Sequence, residues 1–251
     1  MTLLDSILLG IVEGLTEFLP ISSTGHLVIA SDILTIPASD FLSSFIIAIQ
    51  LGAIASVVAV YWRTLFFDWK TIQRVIVAFI PTALVGFILY KLLKDVLIDN
   101  VALIAWMLLL GGIVLVLFER YHKEGDVNEI SYMHAFLIGC IQSLAIVPGV
   151  SRAGATVIGG LSLGLTREKI VEFSFLLAIP TMLAATGYDL LKSGSSFGGG
   201  EWELLAAGFV VAFVSAFIAV KWLIRYVQTH SFAVFGWYRI VLGAVLLIWL
   251  V

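Results

Sequence analysis

Charge is scarce in this chain. Of 251 residues only 12% are Asp, Glu, Lys or Arg, against roughly 25% in ordinary soluble domains. Hydrophobic residues make up 61%, and the mean hydropathy is +1.10. A water-soluble globular fold is thereby excluded, and an integral membrane protein is expected. The net charge is only −3, so nothing points to nucleic acid or to a basic face lying on a membrane surface. Cysteine is almost absent. Cys140 stands alone in an apolar run, which rules out an internal disulfide and any cysteine-based metal cluster. No basic stretch precedes the first apolar residues, so no cleaved signal peptide is expected.

What is present is long apolar segments of two kinds. Six reach the length of about 20 residues that a spanning helix needs: Ser43 to Trp62, Ile72 to Leu92, Val101 to Phe118, Val171 to Leu190, Leu204 to Ile224 and Ala233 to Val251. Two others are broken in the middle. Leu3 to Leu34 is interrupted at Pro20-Ile21-Ser22-Ser23-Thr24-Gly25, and Met133 to Leu165 at Pro148-Gly149-Val150-Ser151-Arg152-Ala153-Gly154. Their halves are too short to cross alone and suit re-entrant hairpins. Irregular backbone at membrane depth is tolerated only inside protein or along a wet cavity, so function is expected at the two breaks.

The first break carries an unusual load for so apolar a chain. Glu13, Thr16, Glu17, Ser22, Ser23, Thr24 and His26 fall within fourteen positions. If Ser6 to Leu19 is helical, Glu13 and Glu17 lie at i and i+4 on one face, with Cβ atoms about 5–6 Å apart. Like charges that close persist only if one is protonated or a cation sits between them. Pro20 ends the helix, and Ser22, Ser23 or Thr24 can cap a new one whose first N–H groups face an anion. Carboxylates with a cation, hydroxyls, a helix N-terminus and a histidine are the parts of a phosphate site.

The two broken regions also match each other. At an offset of 129, Leu8, Gly10, Leu15, Ser22, Gly25, Val28 and Ile29 fall on Leu137, Gly139, Leu144, Ser151, Gly154, Val157 and Ile158. Each half, 1–125 and 126–251, reads as one hairpin followed by three spans. Because three is odd, the second repeat starts on the opposite face, giving an inverted-topology repeat whose breaks meet near the bilayer centre. The expected fold is an all-α polytopic membrane protein with six spans and two re-entrant hairpins. Loop charges orient it. Arg63, Lys70, Arg74, Arg120, Lys123, Arg167, Lys169, Lys221 and Arg225 lie on one side and Lys91, Lys94 and Lys192 on the other. The first group is cytoplasmic by the positive-inside rule, with both termini outside and the first hairpin entering from the external face. Arg152 is the only basic residue in either break, and its planar guanidinium suits paired phosphate oxygens.

Glu13-x-x-x-Glu17 with Leu19-Pro20-Ile21-Ser22-Ser23-Thr24-Gly25-His26, and Pro148-Gly149-Val150-Ser151-Arg152, closely resemble the two signature regions of the undecaprenyl pyrophosphate phosphatase, or bacitracin-resistance, family. Length and hydropathy agree along essentially the whole chain. One position departs: Ala153 stands where the family usually has serine. The resemblance implies a bacterial inner-membrane enzyme that removes the terminal phosphate of the polyprenyl diphosphate carrier, recycling it for cell-wall synthesis. On this reading Glu13 and Glu17 hold a divalent cation, Mg²⁺ or Ca²⁺, and one of them can act as base. Arg152 clamps the diphosphate, assisted by Ser151, Ser22, Thr24, Gly149 and Thr156. Ser23, activated by His26 or Glu17, is the expected nucleophile, with His26 or water as alternatives. The partners are then the lipid substrate and the bilayer, with a homodimer also open. A carrier or flippase of a polyprenyl phosphate would share the acids, the arginine and the broken helices. It would not need a nucleophile beside a base.

Overall fold

A computed structural model describes residues 1–92, 100–123, 125–193 and 201–249. Lys94 of the loop count and Val251 at the end of the last expected span lie outside them. Among the described residues the chain is ten α-helices without a β-strand: α1 Leu3–Thr16, α2 Ser23–Ile33, α3 Asp40–Phe67, α4 Trp69–Leu92, α5 Val101–Tyr121, α6 Tyr132–Gln142, α7 Arg152–Ser162, α8 Arg167–Ser193, α9 Glu201–Tyr226 and α10 Ala233–Trp249. A 3₁₀ turn, Ser143–Ile146, follows α6. Five of them, α3, α4, α5, α8 and α9, are long and apolar enough to cross a membrane. α10 has 17 residues, about 26 Å of helix.

Polar residues at the helix starts set the boundaries. Thr2 and Asp5 form a capping box on α1, and the side chains of Ser39, Asp68, Asn100 and Ser131 accept first-turn N–H groups of α3, α4, α5 and α6. Each satisfies a donor that the helix itself cannot. The faces turned outward carry Phe66, Phe67, Phe87, Ile88, Trp202 and Ile248, all exposed apolar side chains. In a soluble protein such a surface would aggregate; against lipid it is the solvent-facing side.

Packing is by pairs. α1 lies along α9 and α6 along α4, while α3 packs on α8 and α5 on α10. Small residues allow the close approach of the short helices. A Cβ on Gly14 would stand 2.5 Å from the Ala212 carbonyl oxygen of α9, and one on Gly139 would collide with the Ala78 carbonyl of α4. Pro20 to Ser23 of the first break and Pro148, Gly149 and Ser151 of the second are thus buried, while their flanking helices keep exposed apolar faces such as Leu4, Leu15, Met133 and Leu144. The main core gathers Phe18 and Ile21 of the first break with Val57, Phe175, Leu177 and Val220.

Candidate active site

Both interruptions are present, and both use the same uncommon backbone. Pro20 ends the first helix, and Glu17 still continues the helical ladder, its N–H donating to the Glu13 carbonyl at 2.9 Å. Ser22 and Ser151, the pair matched at an offset of 129, precede α2 and α7 with φ of 71° and 70°. Side chains other than glycine adopt this region at a cost of about 1–3 kcal/mol, and it concentrates at functional sites. Gly149 also has positive φ, 92°, and presses on α5: a Cβ there would stand 2.8 Å from the Ile104 carbonyl oxygen. The two helix starts then differ. The Ser151 hydroxyl caps α7 by accepting the Gly154 N–H at 3.1 Å, whereas the Ser22 side chain makes no capping bond to α2. The first N–H groups of α2 are therefore not capped by Ser22, which suits an anion.

The breaks meet at one cavity of about 160 Å³. Glu17, Ser22, Ser23 and Thr24 line it from the first, and Gly149, Ser151 and Arg152 from the second. Across it runs the central contact: Arg152 Nη2 donates to Glu17 Oε1 at 3.1 Å, and Nη1 to the Ser174 carbonyl at 3.0 Å. Arg152 Nε is buried and has no partner; with three hydrogen bonds made by Nη1 and Nη2, two of the guanidinium's five N–H groups are uncommitted. The Ser23 hydroxyl donates to Glu17 Oε2 in a short hydrogen bond. Glu17 therefore joins a hydroxyl from its own break to a guanidinium from the other.

Three expected residues lie behind the cavity wall. Glu13 is fully buried and near enough to Glu17 and Arg152 to interact with both charges, yet neither carboxylate oxygen has a partner. His26 is turned away from Ser23. Its Nδ1 lies 2.8 Å from the Ser22 carbonyl and its Nε2 2.7 Å from the Tyr238 hydroxyl. Since a carbonyl only accepts, Nδ1 carries the hydrogen and a neutral ring accepts the Tyr238 proton at Nε2. The single hydroxyl hydrogen of Thr156 lies between Gln142 Oε1, 3.0 Å, and the Arg152 carbonyl, 2.8 Å.

Several residues of the site escaped the sequence reading. Gln142 Nε2 donates to Thr82 and Thr181 at 3.0 and 3.4 Å, and with Gln50 these form a neutral polar wall of the cavity. Two signals were available. Gln142 falls on Glu13 at the offset of 129, and Pro81-Thr82 and Pro180-Thr181 repeat one dipeptide inside two apolar helices. Arg239 was missed altogether. It is the one basic residue assigned to neither a loop nor a break, and an arginine within a span is a site by default.

No three His, Cys, Asp or Glu side chains among the described residues are grouped to hold a metal ion by themselves. The donor chemistry nevertheless fits a hard divalent cation, which takes oxygen ligands and tolerates water or substrate phosphate as the remainder. The unpartnered oxygens of Glu13, beside Glu17, are such donors.

A family model described as bacitracin resistance protein BacA matches residues 6–245. The undecaprenyl-diphosphatase of Aquifex aeolicus (strain VF5) is 51% identical over 249 residues, 98% of this chain and 97% of the relative. That of Sulfurihydrogenibium sp. (strain YO3AOP1) is 51% identical over 254 residues, 99% of this chain and 100% of the relative. The undecaprenyl-diphosphatase of Thermus thermophilus is 46% identical over 247 residues, covering 96% and 95%.

Proposed function

The chain belongs to the bacitracin resistance protein BacA family, and from that membership we propose a chemical reading of its two breaks. The protein is a multi-pass membrane phosphatase that hydrolyses undecaprenyl diphosphate to the monophosphate and inorganic phosphate. Hydrolysis returns the lipid carrier to cell-wall synthesis. The observation that carries the reading is the Ser23–Glu17–Arg152 chain of contacts at the cavity wall. A hydroxyl held on a carboxylate is an activated nucleophile, and a buried arginine opposite it is an electrostatic clamp. Transport alone needs no such pair.

In the mechanism, the terminal phosphoryl group enters the cavity with its non-bridging oxygens on Arg152, which lines it, and on the first N–H groups of α2. Substrate phosphate competes with Glu17 for the Arg152 guanidinium. Ser23 Oγ attacks the terminal phosphorus while its proton passes to Glu17 Oε2, and the bond to the bridging oxygen breaks, releasing the lipid monophosphate. Glu17 passes that proton to the departing lipid monophosphate; water then gives a proton to Glu17 as it attacks the phosphoserine phosphorus, the Oγ–P bond breaks to release inorganic phosphate, and Glu17 returns the proton to Ser23 Oγ. His26 supports this arrangement by holding the Ser22 carbonyl, and Ser151, Thr24 and Gly149 shape the anion's seat. Thr156 steadies the first turn beneath Arg152. Glu13 and Glu17 would hold a divalent cation, Mg²⁺ or Ca²⁺. When bound, that ion neutralises charge on the phosphoryl oxygens.

The membrane arrangement is part of the proposal. Repeats 1–125 and 126–251, each a re-entrant hairpin and three spans, are supported by the matched φ at Ser22 and Ser151. The exchange of partners, α1 on α9 against α6 on α4, supports them too. The lopsided loop charges favour a cytoplasmic side bearing Arg63, Arg120 and Lys221, with the termini and the mouth of the site outside. The direct experiment is phosphate release from undecaprenyl diphosphate by the purified protein, with and without EDTA. Cation-dependent release lost in Glu17→Gln supports the reading; well-folded protein that releases nothing overturns it.

A further inference from the structure

Among the described residues Arg239 is the largest of the fully buried side chains, with an exposure of 2%, and the mechanism does not use it. Its guanidinium has five N–H bonds, and five backbone carbonyls receive them. Nη1 donates to Pro20 at 3.2 Å and to Val150 at 3.2 Å. Nη2 donates to Gly149 at 2.9 Å and Met107 at 3.0 Å, and Nε to Leu108 at 3.4 Å. One residue of α10 thus grips the first break just before Ser22 and Ser23, the second just before Ser151 and Arg152, and the α5 backbone behind them. The carbonyls of an interrupted helix lack helical donors and need partners when buried. The neighbouring Tyr238 meets His26, so two consecutive residues of α10 address both breaks.

We propose that Arg239 is a positioning residue that fixes the two breaks against each other, setting where Arg152 stands relative to Ser23 and Glu17. With every donor committed to a carbonyl it has none left for a phosphate oxygen, so it acts through the breaks and not on the substrate. The proposal rests on the phosphatase reading for its kinetic consequence but not for its geometry. Lysine cannot reproduce a planar fork reaching five acceptors, and misplacement of reacting groups by about 1 Å can cost about 100-fold in rate.

The test perturbs the guanidinium from both ends. Arg239→Lys removes the fork. Gly111→Ala leaves it in place but puts a methyl group where Arg239 Nη2 now lies. Both should lower phosphate release about 100-fold in protein that remains folded. Because the effect passes through Arg152, adding Arg239→Lys to Arg152→Ala should cost less than about threefold more. A second readout needs no activity. In a Cys140→Ser background, Thr24→Cys with Pro148→Cys places one thiol from each break on the same cavity, and a short bifunctional reagent should link them several-fold more slowly once Arg239 is lysine. Release within threefold of wild type in folded Arg239→Lys, a loss that multiplies in full on Arg152→Ala, or unchanged cross-linking would each overturn the proposal. If the wild type itself releases no phosphate, the phosphatase reading fails and the cross-linking still judges the clamp. Should Arg239→Lys not fold, Gly111→Ala carries both readouts.

Discussion

Glu17 and Arg152, 135 positions apart in the chain, pair at 3.1 Å with side chains 4% and 10% exposed. The pair closes one break upon the other. A buried ion pair contributes little net stability, because desolvation offsets the attraction, so this one is read as function. Arg152→Lys keeps the charge but loses the fork and should lower kcat/KM by about 100-fold. Steady-state phosphate release at matched protein amounts measures it.

The same logic reaches Glu13. A buried carboxyl group whose oxygens lack a partner persists only if it is protonated or a cation joins it. With the cation as that partner, Glu13→Gln should raise the Mg²⁺ concentration for half-maximal activity by about tenfold, measured by titrating the ion back into EDTA-treated protein. An unchanged requirement would remove Glu13 from the cation's ligands.

Much of this was legible because polar residues inside apolar segments have few explanations. Pro20 and Pro148-Gly149 marked the breaks, and Glu13, Glu17, Ser23 and Arg152 stood out against their surroundings. The family resemblance carried by those motifs agrees with the match over residues 6–245. Choice of partner was not legible. Ser23 and His26 are i and i+3, which suggested a dyad, but Ser23 opens α2 and turns back to Glu17, while His26 faces Tyr238, 212 positions away. Gln50, Thr82 and Thr181 are isolated polar residues on separate helices, and only tertiary packing makes them one wall. Arg239 hid because a single arginine barely lowers the hydropathy of its span.

Helix packing makes a stability prediction. Gly14 lets α1 touch α9, and a Cβ there would stand 2.6 Å from Ser215 Cβ. Gly14→Leu should cost about 1–3 kcal/mol or more through overpacking, seen as a lower melting temperature in detergent. It should also weaken activity, since α1 carries Glu13 and leads into Glu17.

Outside the spans, Asp68 caps α4. The Thr71 hydroxyl and amide donate to it at 2.7 and 3.1 Å and hold its carboxyl below the ordinary value. A carboxyl lowered by folding contributes stability in full above its unfolded value, and loses it as pH falls through the folded one. Asp68→Ala should therefore melt lower than wild type near neutral pH, and the gap should close in acid.

The most direct test is to catch the phosphoryl group on the enzyme. Undecaprenyl diphosphate labelled in its terminal phosphate is turned over and stopped in acid, which preserves phosphoserine, and in parallel in base, which preserves phosphohistidine. Peptide mapping then locates the label. Label on Ser23 in the acid quench, absent from Ser23→Ala along with activity, is the predicted result. Label on His26, or undiminished phosphate release by Ser23→Ala, would contradict it.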